Sequence, residues 1–212
     1  MPVVTIRGQL GSGAPEIGRQ IASRLKCDYV DREIIAGVAA RLHRPEDEVI
    51  EKEMPPSSIL GRIAKALENS LAYSAGFEGA SLPAWEIPLN DTRYLPALES
   101  VVRELARTPS IVIRGRGSQF ILWDHPAAIH ALVVAPLEVR VRRLMTDRNL
   151  DQESAKKEIA RFDGSRREFI RRYFGAELED PVFYDLTLNT GNLGFEAAAA
   201  IVIDALSFKT GP

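Results

Sequence analysis

The chain of 212 residues holds a single cysteine, Cys27. One thiol excludes an internal disulfide and a multi-thiolate metal centre, and it fits a reducing compartment. Histidine is almost as scarce. His43, His125 and His130 are scattered without metal-ligand spacing and read as ordinary surface or packing residues, so no metal site is expected from them. Long apolar runs are missing as well. No stretch approaches the roughly 18 consecutive apolar residues of a membrane-spanning helix, and the N-terminus lacks the basic and apolar regions of a secretory signal. Excess charge is also small, with 29 acidic residues against 27 basic ones and a net charge of −2. That balance argues against a general nucleic-acid binder. Together these absences predict a cytoplasmic protein with neither a nucleic-acid nor a membrane partner.

What is present is an ordinary globular composition, 45% hydrophobic and 26% charged. A chain of this length buries enough surface to build one sizeable core, so a single domain over 1–212 is expected. Val3 to Ile6 is a short β-branched run that reads as a buried strand. A turn-rich loop follows, Arg7-Gly8-Gln9-Leu10-Gly11-Ser12-Gly13, and then Pro15 with Ile17, Ile21, Ala22 and Leu25 at helical spacing. Further short apolar runs at Tyr29-Val30, Ile111 to Ile113, Ala131 to Val134 and Asp185 to Asn189 read as strands. Helical patterns lie between them: Ile34, Ile35, Val38 and Ala39; Ile59, Ile63, Leu67 and Leu71; Leu98 to Leu105; a basic helix from Pro136; and Glu196 to Leu206. Residues 76–96 read as an ordered loop. Short apolar strands alternating with helices predict an α/β fold, a parallel sheet of about five strands covered on both faces.

Two features carry chemistry. Gly8 and Gly13 have the glycine spacing of a phosphate-binding loop, placed after a strand and before a helix. Such a loop converges backbone N–H groups on phosphate oxygens, and the helix N-terminus adds a partial positive charge. The usual pattern continues Lys-Ser/Thr; here those places hold Ala14 and Pro15. The alternative is a plain glycine-rich turn. The second feature is the stretch from Glu138 to Arg172, with eleven basic residues against seven acidic ones, nine of the basic ones arginine. Arginine favours planar, bidentate recognition of phosphate or carboxylate, although a solvated, salt-bridged helical hairpin would look the same. Together the two supply what phosphoryl transfer asks for, positioning and neutralisation of charge.

Several pieces in this order resemble the cytidylate kinase-like family of the P-loop nucleoside monophosphate kinases: Gly11-Ser12-Gly13 with Glu16 to Arg19; Tyr29 to Glu33; Val112 to Gly117; Ala135 to Arg143; Asp163-x-x-Arg166; and Tyr184 to Thr190. The resemblance implies a three-layer P-loop kinase fold with a core of residues 1–30, 108–143 and 179–212, a helical monophosphate-binding region over 31–107 and a helical lid over 144–178. It implies ATP with Mg²⁺ as donor system and small-molecule nucleotides as partners. It assigns phosphate or nucleotide binding to Gly8, Gly11, Ser12, Gly13, Ala14 and Arg140. Acceptor binding falls to Asp31, Arg32, Arg116 and Asp163, and catalytic roles fall to Arg143 and Arg166. Where cytidylate kinases carry Gly-Arg-Asp, this chain has Gly115-Arg116-Gly117. The expected function is phosphoryl transfer from ATP to a nucleoside monophosphate. The alternative is a weak or inactive homologue that senses a nucleotide or other phosphorylated ligand. Self-association through residues 57–75 is possible on their apolar stripe, which a core explains equally well.

Overall fold

The computed structural model describes residues 2–31 and 94–210. Arg32, the two helical stripes between residues 34 and 71, and the loop expected up to residue 93 lie outside them. Five parallel strands form one sheet in the order β2-β3-β1-β4-β5: β1 Val3–Gly8, β2 Asp28–Val30, β3 Ile111–Arg114, β4 Ala128–Val134 and β5 Leu186–Asn189. Six helices accompany them among the described residues: α1 Ala14–Leu25, α2 Tyr94–Leu105, α3 Ser118–Ile121, α4 Leu137–Arg148, α5 Gln152–Phe174 and α6 Phe195–Thr210. None of them is long and apolar enough to cross a membrane.

The period of two along each strand sends alternate side chains to opposite faces, and both faces are covered. Val4 and Ile6 of β1 face Ile17 and Ile21 of α1 and Ala198, Ala199 and Val202 of α6. Val3 of β1, with Ile111 and Ile113 of β3, faces Val101 and Leu105 of α2 and Phe169 and Ile170 of α5. This is the three-layer α/β arrangement expected from the sequence. A smaller cluster, Val141 and Leu144 with Ala155 and Ile159, joins α4 to the first half of α5. The segment read as a lid therefore has two unlike halves. Residues 155–159 pack on α4, whereas Phe169 and Ile170 belong to the main core.

Several boundaries differ from the sequence reading: β1 runs on to Gly8 and α6 to Thr210, and two more differences have a visible cause. β4 starts at Ala128, before the apolar run, because Ala128, Ile129 and His130 pair with Val3, Val4 and Thr5 and the polar His130 broke the pattern. Helix α2 starts at Tyr94, inside the stretch read as a loop. Pro96 falls in its first turn, where a missing N–H has no intrahelical partner to lose.

The register puts the glycine loop at the carboxyl edge of the sheet. Ile6 pairs with Arg114 and Gly8 with Val133, so the loop leaves β1 between the ends of β3 and β4. Ligands of open α/β sheets bind in the crevice beyond this edge.

Candidate functional site

The loop from Gly8 to Gly13 needs glycine at two points. Gly11 and Gly13 have φ of +79° and +89°, in the left-handed region. A Cβ on Gly13 would also lie 2.3 Å from the Phe195 ring. Gly13 caps α1, and Pro15 occupies the first turn of that helix. Ala14 is buried, and a Cβ on Gly8 would lie 2.5 Å from the Ala14 Cβ and 2.6 Å from Ser12 Oγ. Close packing of these three residues fixes the curl of the loop.

Protein donors take every carbonyl from Gly8 to Ser12. Arg166 donates to Gly8 O at 3.3 Å, the Ser12 N–H to Gln9 O at 3.1 Å and Arg140 to Leu10 O at 3.4 Å. Arg143 donates to Gly11 O at 3.2 Å and the Thr190 hydroxyl to Ser12 O at 2.7 Å. Among the described residues no acceptor takes the amide N–H of Gly11, Gly13 or Ala14. Ser12 Oγ is fully buried and, among the described residues, makes no hydrogen bond.

Charged side chains reach the loop in pairs spaced by three along a helix, which places both members on one face. Arg140 and Arg143 come from α4, Asp163 and Arg166 from α5. Arg140 and Asp163 form a buried ion pair at 2.7 Å. The second Asp163 oxygen accepts the Leu10 N–H at 3.0 Å, and Arg140 Nε donates to Ala135 O at 3.1 Å. Arg143 donates to the Thr190 hydroxyl at 3.0 Å and to Thr190 O at 2.8 Å, with its guanidinium 4.7 Å from the centre of the Phe195 ring. Thr190 is itself buried, with its N–H bonded to Val134 O. It thus links β4, the loop and Arg143.

The structure accordingly brings Gly8, Gly11, Ser12, Gly13, Ala14, Arg140, Arg143, Asp163 and Arg166 together. Asp163, expected at the acceptor, sits against Leu10 and Arg140. Arg116 sits on the turn after β3, where Gly115, Arg116 and Gly117 all have positive φ. Its guanidinium lies 5.7 Å from the Phe169 ring centre. A Cβ on Gly117 would fall 2.4 Å from the Phe174 ring, so the aspartate that cytidylate kinases carry here has no room. Asp31 is held by Arg114 in a bidentate pair at 2.6 and 2.8 Å and accepts the Tyr29 hydroxyl at 3.0 Å. Burial raises the Tyr29 pKa, and the bonded Asp31 carboxylate adds to the rise, so the phenol stays a donor. Arg19 and Arg7 are the other cations near the loop in sequence. Arg19 pairs with Glu16 on the exposed side of α1, over the Tyr29 ring. Arg7 is buried in β1, on the strand face that alternation with Ile6 directs away from α1.

Sequence reasoning missed the roles of Thr190 and Phe195. Thr190 stood at the end of a recognised piece, but nothing in the pattern showed its reach to Ser12. Phe195 carried no signal beyond starting a helix.

Comparison with known proteins agrees with this fold. The chain matches the model of the cytidylate kinase-like family over residues 3–192. The cytidylate kinase of Halobacterium salinarum is 28% identical over 165 residues, covering 72% of this chain and 85% of the relative. That of Ignicoccus hospitalis is 24% identical over 202 residues, covering 95% and 97%. A crystal structure of a protein from Eubacterium ventriosum superposes with a TM-score of 0.68 at 17% identity, over 97% of this chain and 98% of that one, a likeness of fold. With a parallel five-stranded sheet, a glycine loop at its carboxyl edge and a family match across nearly its whole length, this chain belongs to the cytidylate kinase-like family.

Proposed function

We propose that this chain binds a nucleoside triphosphate through the glycine loop and transfers its terminal phosphoryl group to a nucleoside monophosphate. The orientation of the loop carries the reading. With the carbonyls from Gly8 to Ser12 tied outward by Arg166, Arg140, Arg143, Thr190 and the Ser12 amide, the amides of Gly11, Gly13 and Ala14 are left for an anion at the N-terminus of α1. Family membership and the cytidylate kinase relatives support the reaction class.

In this reading Gly8, Gly11, Ser12, Gly13 and Ala14 cradle the donor phosphates. Arg140 and Arg143 flank them from α4, and Arg166 stands nearest the transferred group. Arg116 and Asp31 are assigned to the acceptor, as is Arg32 on the sequence alone, with Asp163 holding α5 against the loop. The bond from the terminal phosphorus to the leaving diphosphate breaks, and one to an acceptor phosphate oxygen forms. Phosphoryl transfer of this kind is achieved by positioning and charge neutralisation. ATP is the donor that the family relationship supports. The Mg²⁺ that usually accompanies it is ordinarily held by a hydroxyl after the loop lysine. Pro15 has no oxygen to offer there, so no step is assigned to the metal.

One observation favours the second reading, a homologue that binds and does not turn over. At the place of the usual lysine the Ala14 side chain is buried against Gly8 and brings no charge. Losing one preorganised electrostatic contact costs about 3–4 kcal/mol in the transition state, roughly 10²–10³-fold in rate. A thermal-shift panel of nucleoside mono- and triphosphates, followed by turnover assays on each hit, separates the readings. Stabilisation by a triphosphate with release of diphosphate supports transfer, stabilisation alone supports the second reading, and neither response refutes both.

A further inference from the structure

We propose that the glycine loop takes the polyphosphate of its ligand as the metal-free anion, the arginines of α4 and α5 supplying the positive charge that a divalent cation supplies in other phosphate loops. The inference rests on the reading that this loop binds phosphate.

The donor set is the first ground. Mg²⁺ asks for near-octahedral oxygen ligands and is usually anchored by one or two carboxylates or a hydroxyl beside the substrate phosphates. At the hydroxyl position stands Pro15, whose ring carries neither a side-chain oxygen nor an N–H. Ser12 keeps a hydroxyl, but it is packed between Gly8 and Ala14 at the base of the loop, fully shielded.

The carboxylates are the second ground. Asp163, the one that touches the loop among the described residues, spends one oxygen on the Leu10 N–H and the other on Arg140. Asp31 is saturated by Arg114 and Tyr29, and Glu16 is exposed and paired with Arg19. Among the described residues no three His, Cys, Asp or Glu side chains gather as a metal site.

Charge is the third ground. Arg140, Arg143 and Arg166 all donate to the loop carbonyls, against Asp163 alone, which gives the loop surround a net charge of +2. A divalent cation bound at a loop backed by three guanidinium groups meets repulsion. Metal-free polyphosphate, with its full negative charge, gains the most from them.

The test is calorimetric titration of the full chain with sodium tripolyphosphate and with ATP, each in EDTA and in excess Mg²⁺. The expected result is binding in EDTA at least as tight as binding in Mg²⁺, to within about threefold. Tightening of about tenfold or more by Mg²⁺ overturns the proposal and leaves phosphate binding at the loop standing. Absence of heat with either ligand in either buffer overturns phosphate binding itself, and the inference with it. The paired variant Ala14→Lys/Pro15→Ser supplies the second arm. Restoring a side-chain oxygen and a cation should make binding Mg²⁺-dependent by about tenfold. A restored variant as indifferent to Mg²⁺ as the native chain shows that the missing ligand is not the cause, which also overturns the proposal. Thermal unfolding of the variant, followed without ligand, confirms that it is folded before titration.

Discussion

Asp163→Asn removes one charge from a buried ion pair while keeping the shape of the side chain. Asp163 and Arg140 are both shielded from water, 2.7 Å apart, and the carboxylate also accepts the Leu10 N–H. The asparagine oxygen can still accept from Leu10, so the main loss is the partner of Arg140, whose guanidinium stays buried and retains only Ala135 O and a long contact to Leu10 O. Breaking a buried pair by removing one charge costs about 3–5 kcal/mol, because the remaining ion is desolvated without compensation. For a domain of this size that is about 6–20 °C in Tm, at about 2–4 °C per kcal/mol. Urea unfolding monitored by far-UV circular dichroism reads the loss directly. The companion variant Arg140→Met/Asp163→Leu removes both charges and should recover most of it, since well-packed apolar replacements of buried pairs are often neutral. A loss below about 1 kcal/mol for Asp163→Asn would refute the reasoning. The pair would then be solvated, and α5 would not be latched to the loop.

Thr190→Val keeps the volume but leaves Ser12 O without its donor and takes an acceptor from Arg143. An unsatisfied buried carbonyl costs about 1–3 kcal/mol, and ligand affinity at the loop should fall while Thr190→Ser restores it, as measured by titration with ATP. Gly13→Ala forces a Cβ to within 2.3 Å of the Phe195 ring at a φ of +89°. Strain and overpacking together should cost about 2–5 kcal/mol and abolish phosphate binding, and an unchanged Tm would contradict the loop geometry. His130 is buried beside Thr5, with its Nδ1 2.7 Å from the Thr5 hydroxyl, and burial lowers its pKa from 6.5 to about 4. The unfolded chain therefore takes up this proton first as the pH falls. The stabilisation is complete above pH 6.5 and lost by about pH 4, a loss of about 3 kcal/mol at 1.36 kcal/mol per pKa unit. Urea unfolding across that window should show the slope, flattened in His130→Leu.

The sheet was legible because its strands are short apolar runs with turn signals at their ends, the pattern of strands buried on both faces. Val3, Ile111 and Val133 all sit where their run placed them. Boundaries slipped where one polar residue interrupts a run, as His130 does in β4, because its burial is settled by a partner 125 residues away, Thr5. At the site, glycine spacing gave the loop and the spacing of Arg140 with Arg143 and of Asp163 with Arg166 gave two helix faces. What faced them was hidden. Asp163 closes on Leu10, and Thr190 on Ser12, across 153 and 178 residues of chain. Such contacts follow from how α5 and the turn after β5 pack, which local periodicity does not encode. The crowding of Gly117 by Phe174 is of the same kind. The glycine was visible as a departure from the family pattern, and its cause lay on a helix 57 positions later.

The account turns on whether the outward-tied loop offers its amides to phosphate. Titrating ¹⁵N-labelled chain with ATP and following the amide resonances tests that most directly. The account predicts that the signals of Gly11, Gly13 and Ala14 move first and furthest, with those of Arg140 and Arg143 responding through their side chains. Saturating shifts confined to other parts of the chain, or none at these three amides, would contradict it.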